Sequence, residues 1–427
     1  MHRTPRILFG LACLLALWAC GAGPQDAGIV FAIGGAPDEI QVWEAIAAGF
    51  SRDTGVPVRI LRQPTDTAQR RQGLLVALGS AQRDPDVFLM DIAWLGLFAA
   101  AEWLAPLEEV DLEPFFPQVV RLTDFFADQL IALPVTVDVG VLYYRADLLA
   151  GPPPQTWDAL AAQALRVQQR LRPRQPGFFG FVWQGAQYEG LVVNFLDLAG
   201  SRGGFVRDGD RIRVQSPANL RALTRMVDFI HGTAAISPPN TYTEMTEEEV
   251  RRYFQSGGAL FQRNWPYAYA LHQAEGSAVQ GRTGVSPLPD PDDGERAPTL
   301  GGWHVGVSAF SDRPAAAQRF ARYLTSAAVQ KKLVLELGLP SGRRDLYADA
   351  DVLAKFPHFK TLAAVLPTAR PRPIVPSYTL ISEIMQRRLS GALARDDTPA
   401  AALAKAQLEI DQLLARTADR PAGQGRP

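Results

Sequence analysis

The hydrophobic pattern changes period several times along the chain, and each change marks an element. Ile29–Ile33 is a continuous apolar run, as expected of a strand buried on both faces. Gly34–Gly35–Ala36–Pro37 is a turn. From Asp38 to Arg52 apolar residues recur at helical spacing, at Ile40, Trp43, Ile46, Ala47 and Phe50, with Asp38 as the expected N-cap. Val56–Leu61 predicts a second strand, Thr65–Leu78 a second helix carrying Arg70 and Arg71, and Pro85–Met90 a third strand. Strands alternating with helices predict a mostly parallel sheet covered by helices on both faces.

Leu130–Arg145 breaks the alternation. It is a long extended run with Pro134 and Gly140 inside and Asp138 between them, a candidate hinge between two lobes. Pro287–Ala297 and Leu339–Arg344 are candidate second and third crossings. Between the first two lie a helix capped by Thr156, a strand at Gly177–Gln184 and a helix at Tyr188–Ala199 with Glu189 in its first turn. A hairpin at Ser201–Arg213 and a helix at Pro217–Gly232 follow. Thr246–Ser256 predicts a helix opened by a Thr246/Glu249 capping box, and Thr283–Leu288 a strand. Leu300–Ser308 predicts one more strand, and Pro314–Thr325, Ala327–Leu337 and Pro399–Arg416 predict helices. Ala369–Tyr378 is stiffened by proline and carries Arg370 and Arg372.

Composition narrows the class. The 427 residues are too many for one ordinary core, so two or three domains are expected. Lys and Arg number 43 against 44 Asp and Glu, which gives no electrostatic case for nucleic acid. The N-terminus points to export. Arg3 and Arg6 precede an apolar run, Ile7–Ala19, too short to span a bilayer, and the run ends at Cys20. This resembles a lipoprotein leader, with residues 1–19 as signal peptide, Cys20 as the lipidated residue and 20–27 as a tether. An ordinary secretory signal with a chance cysteine is the alternative. Cys13 and Cys20 are the only cysteines, so the chain beyond the leader has no thiol for a disulfide, a metal site or a nucleophile.

The candidate chemistry centres on Phe261–Leu271, FQRNWPYAYAL, where Trp265, Tyr267 and Tyr269 surround one proline. Aromatic faces with polar rims suit a sugar ring; an aromatic core plug is the alternative. Glu39 follows one predicted buried strand and Asp91 another, and ligands bind α/β sheets beyond the carboxyl ends of their strands. For Asp91 a helix N-cap is the alternative. The paired glycines Gly301 and Gly302 let backbone approach a ligand beside Trp303.

These segments together resemble one family from about Gly28 to Leu414. They include Ile29–Trp43, Arg62–Arg71, Asp84–Trp94, Leu133–Leu149, Gly180–Leu191, Ile236–Glu248, Asn264–Tyr269, Leu300–Val307 and Pro371–Pro376. The family is the extracellular solute-binding proteins of carbohydrate ABC importers, in its trehalose/maltose-binding branch. The resemblance implies an α/β fold of two discontinuous lobes, the two-lobed periplasmic-binding-protein fold (type II), joined by hinge crossings. The expected first lobe is residues 28–136 plus 288–340 and the second 137–287 plus 341–416, with 417–427 a disordered tail. It implies a disaccharide bound between the lobes and delivery to the transmembrane subunits of an ABC permease. No cofactor, metal, catalytic residue or nucleic acid is implied, and a monomer, lipid-anchored on the outer side of the cell membrane, is expected. Carried onto this chain, Glu39 and Asp91 bind hydroxyls from the first lobe, Asp138 sits at the first crossing, and Trp265 and Tyr267 stack from the second lobe. Gly301, Gly302 and Trp303 close the site, Arg372 bridges, and Glu189 and Arg71 join them. Leu339–Pro340–Ser341 departs from the family's pattern and leaves one wall more open.

Two other readings use the same residues. A glycoside hydrolase would employ two of Glu39, Asp91, Asp138 and Glu189 as an acid–nucleophile pair. A sensory protein would hand the bound sugar's signal to a receptor instead of a permease.

Overall fold

The computed structural model describes residues 28–208, 211–291 and 294–418. The leader, Cys20, the tether and residues 419–427 lie outside the described residues.

The first sheet holds five strands in the order Val58–Gln63, Ile29–Gly34, Val87–Asp91, Trp303–Val307, Leu133–Pro134. The first three pair in parallel, because each is returned to the sheet edge by a helix, Pro37–Thr54 or Thr67–Gly79. Trp303–Val307 then runs antiparallel to Val87–Asp91, setting Trp303 opposite Asp91. Ile40, Trp43, Ile46 and Phe50 line the buried face of the first helix and pack with Ile29, Phe31 and Phe320. That helix begins at Pro37 with Ala36 in the cap position, so Asp38 belongs to its first turn and is not the cap. Proline at the first position needs no N–H partner, which starts the helix one residue early.

The second sheet has the order Thr283–Pro287, Val141–Arg145, Ala259–Asn264, Phe179–Val182. Its helices include Trp157–Leu171, capped by the Thr156 hydroxyl on the Ala159 N–H, Glu189–Ala199 and Pro217–His231. At Thr246 the capping box takes another form: the hydroxyl bonds the Glu249 carboxylate and not a backbone N–H.

A third, three-stranded sheet joins the two: Arg370–Pro371, Thr299–Gly301 and Asp138–Val139. The run Leu130–Arg145 is therefore broken: Leu130 ends a two-stranded hairpin with Phe125–Phe126, and Leu133–Pro134, Asp138–Val139 and Val141–Arg145 lie in three different sheets, with Asp138–Val139 at the crossing. The expected strand Leu300–Ser308 is likewise two, broken at Gly302, whose φ of 135° takes the chain from the crossing into the first sheet. Leu288 packs in the second lobe's core, and Asp290 bridges to Thr156. The return to the first lobe thus falls at Thr299–Trp303 rather than at 288. The molecule is an α/β protein of two lobes.

One long helix has no counterpart among the expected elements. Tyr378–Leu393 lies between the proline-rich segment and the terminal helix Pro399–Ala418, which continues into the expected tail. It packs on Glu189–Ala199 in the second lobe and also touches the Ile92–Trp94 turn of the first.

Candidate functional site

A cavity of about 330 Å³ lies between the lobes, within the range of small-molecule sites. Ten of the eleven expected residues line it: Glu39, Asp91, Asp138, Glu189, Trp265, Tyr267, Gly301, Gly302, Trp303 and Arg372. Arg71 does not. It is on the flank of its helix, and its guanidinium reaches Glu383 at 3.2 Å outside the cavity. Its neighbour Arg70 takes the cavity position. Arg70 is buried with Leu74 and Leu78 on one helix face, donates to the Pro64 carbonyl at 2.7 Å, and lies 4.8 Å over the Trp303 ring.

The first lobe contributes strand ends. Asp91 ends its strand and accepts from the Ala93 N–H at 2.8 Å, so the expected cap and the expected cavity wall are the same side chain. Glu39 stands in the first turn of its helix beside Trp43, whose indole N–H lies 3.4 Å from its carboxylate. Burial raises the Glu39 pKa; the Trp43 contact and the Arg70 charge partly oppose this.

The crossing contributes Asp138, which is half-buried and touches the cavity. Burial raises its pKa to about 7, with the Thr136 hydroxyl opposing and the Asp91 charge adding. Gly301 and Gly302 are explained by two close approaches. A Cβ at Gly301 would lie 3.0 Å from the Trp265 ring, and one at Gly302 would strike the Thr136 carbonyl at 2.2 Å. The glycines admit the indole and the neighbouring strand, as well as lining the cavity.

From the second lobe, Trp265 follows the strand Ala259–Asn264, and its indole N–H lies 3.4 Å from Glu247. The Tyr267 hydroxyl donates to Glu248 at 2.7 Å, and Arg251 holds the same carboxylate. Glu247 is half-buried, and the desolvation of its carboxyl raises its pKa. Tyr188, Glu247, Glu248, Trp43, Thr136 and Arg70 also line the cavity and were not singled out in the sequence. Three glutamates in a row at a helix start read as dipole-favoured surface charge. For Arg70 the signal was present, in its four-residue spacing from Leu74.

Arg372 ties the parts together. It is 4% exposed and donates to Asp91 and to Glu189, both at 2.9 Å, one from each lobe. Burial opposes its charge, yet the two carboxylates raise its pKa above the ordinary value. Glu189 also accepts from the Tyr378 hydroxyl at 2.6 Å and from Ser382. The cavity thus has neutralised acids at the lobe junction, and among the described residues Asp138 and Glu247 have no direct ion-pair partner. Such a set can accept hydroxyl hydrogen bonds beside a flat aromatic wall.

Two lobes joined by a hinge sheet, with a polar and aromatic cavity between them, define a solute-binding protein. The chain belongs to the bacterial extracellular solute-binding proteins, whose family model matches residues 36–331; it is a substrate-binding component of an ABC transporter. It is 34% identical to a probable ABC transporter-binding protein of Deinococcus radiodurans, over 87% of this chain and 90% of that one. The maltose-bound MalE3 of T. maritima superposes with a TM-score of 0.83 at 34% identity, covering 90% of this chain and 99% of that one. A probable amino-acid ABC transporter periplasmic-binding protein of Sinorhizobium fredii is 23% identical, over 87% of this chain and 86% of that one. The family is one of solute-binding proteins.

Proposed function

We propose that the protein captures an α-linked disaccharide of the maltose or trehalose type between its lobes and delivers it to the transmembrane subunits of an ABC permease. The observation that carries this reading is the Trp265–Tyr267 wall set against Glu39, Asp91 and Asp138 in one interlobe cavity. Carboxylates accept two hydroxyls each with charge-assisted bonds, and a cavity built for hydroxyls rejects solutes lacking them. The likeness to a maltose-bound protein supports the same ligand class. The hydrolase reading is weakened because Asp91 and Glu189 share one guanidinium, and Glu189 is further held by Tyr378 and Ser382. Carboxylates engaged in this way are poor candidates for proton transfer or attack.

Calorimetric titration of the chain from residue 21 with maltose, trehalose, sucrose, glucose and a panel of amino acids tests the reading. One-to-one binding of a disaccharide, with no product by chromatography, is expected. Binding of an amino acid alone, or turnover of any glycoside, rejects it.

The same reading anchors the protein to the outer side of the cell membrane through lipid on Cys20. Cys20→Ser is expected to release the protein from membranes with its sugar affinity unchanged. Membrane association that persists in this variant excludes the anchor.

A further inference from the structure

Behind the aromatic wall lies a fully buried ion pair that no cavity contact explains. Arg263 donates to one Asp197 oxygen from Nε at 3.0 Å and from Nη2 at 2.7 Å, and both side chains are 0% exposed. Burying two charges is costly, and apolar residues of the same volume would serve the core at least as well. The other contacts of the pair are therefore informative. The second Asp197 oxygen accepts from the Thr299 N–H at 2.8 Å, in the middle strand of the hinge sheet. The Arg263 guanidinium lies 4.3 Å over the Trp265 ring. Gly140, in the first crossing, fits only because it lacks a side chain; a Cβ there would sit 2.6 Å from Arg263 Nη2 and 2.8 Å from the Asp197 carboxylate. The circuit closes at Gly301, two residues after Thr299, against the Trp265 ring.

We propose that Arg263 and Asp197 are positioning residues for the ligand, holding the plane of Trp265 in register with the hinge strand Thr299–Gly301. Arg263 is wholly buried and does not line the cavity, so the ring face it covers is turned away from the ligand. Asp197 fixes the guanidinium and the hinge strand at once. A planar cation stacks on an aromatic face and bonds a carboxylate in the same plane, which an ammonium cannot reproduce. The register of the ring is thereby linked to the strand about which the lobes rotate. The inference deepens the sugar reading and rests on it for its affinity test.

Two measurements on the purified protein test it. In the first, maltose affinity is compared for wild type, Arg263→Lys, Trp265→Ala and the double variant. Arg263→Lys is expected to weaken binding about 10-fold when Trp265 is present and less than about 2-fold when it is absent, since residues acting through one another are not additive. Equal losses in both backgrounds, or no loss in the first, overturn the proposal. In the second, 5-fluorotryptophan is incorporated and the Trp265 fluorine signal is assigned by its disappearance in Trp265→Phe. Arg263→Lys is expected to shift or split that signal in the ligand-free protein while the other tryptophan signals stay in place. An unmoved Trp265 signal overturns the proposal. If wild type binds no sugar while Arg263→Lys still shifts the Trp265 fluorine signal, the sugar reading alone is overturned.

Discussion

At the scale of single residues, two side chains carry distinct expectations. Trp265 packs on Arg263 and Gly301 and presents the rest of its ring to the cavity. Trp265→Ala should cost about 1–3 kcal/mol of sugar affinity, as buried aromatic anchors do. Calorimetry and ligand-free melting together check this. A large fall in melting temperature with affinity retained would make the ring core rather than wall. Asp138 carries a pH dependence. Its folded pKa is raised from 3.8 to about 7, so the folded state holds the proton more tightly than the unfolded one. Its contribution to ligand-free stability is fully present below about pH 4 and lost as pH rises through about 7. Asp138→Asn should remove this slope. Wild type should lose stability relative to the variant between pH 4 and 8 in thermal melts, and parallel profiles would reject the assignment. Glu39 and Glu247 are also raised, but they are present in both proteins and cancel in the difference. Much of this site was legible in the sequence, since acids after strands and a clustered aromatic run are local signals. Tyr188 and Glu247 were not, because their role comes from burial that only the packed second lobe creates.

At the scale of elements, legibility followed the purity of the hydrophobic pattern. The strands Ile29–Gly34 and Val87–Asp91 and the helices Pro37–Thr54 and Thr67–Gly79 have apolar buried faces and were read within a few residues, as was the half-exposed edge strand Val58–Gln63. The helix Tyr378–Leu393 was missed because its buried face includes Tyr378 and Ser382, whose hydroxyls serve Glu189 and interrupt the apolar stripe. Prolines at 373 and 376 further disguise its start. The break at Gly302 was hidden for another reason: apolar residues stand on both sides of it, Leu300 before and Trp303, Val305 and Val307 after, and only the backbone turns. That turn is demanding. Gly302→Ala forces a side chain into a positive φ and against the Thr136 carbonyl. A strained φ of this kind costs roughly 1–3 kcal/mol, and the clash adds to it. The ligand-free melting temperature should therefore fall, and exchange of the Trp303 amide, bonded to the Thr136 hydroxyl at 2.9 Å, should quicken. Unchanged melting and exchange would show that the crossing absorbs the side chain and that the glycine is dispensable to the hinge.

At the scale of the whole molecule, two arginines span the lobes, and they should differ in consequence. Arg372 is buried and neutralises Asp91 on one side and Glu189 on the other. Arg71 meets Glu383 at the surface, where solvent screens the pair. Arg372→Gln leaves two carboxylates facing each other without their shared cation. Their repulsion is relieved when the lobes separate, so the open form gains population in the absence of ligand. A ligand that binds the closed form must then supply the difference, and its apparent affinity falls by the lost closed fraction. Removing one member of a buried pair costs about 3–5 kcal/mol. Even a third of that, appearing in the open–closed balance, would weaken sugar binding about 10-fold. Arg71→Ala should change affinity less than about 3-fold. Small-angle scattering and calorimetry on the two variants separate the cases. Arg372→Gln should raise the ligand-free radius of gyration, and saturating sugar should restore the wild-type value. If both variants scatter and bind like wild type, the lobes are held by the hinge sheet alone. Arg372 would then have no part in closure or in holding the sugar.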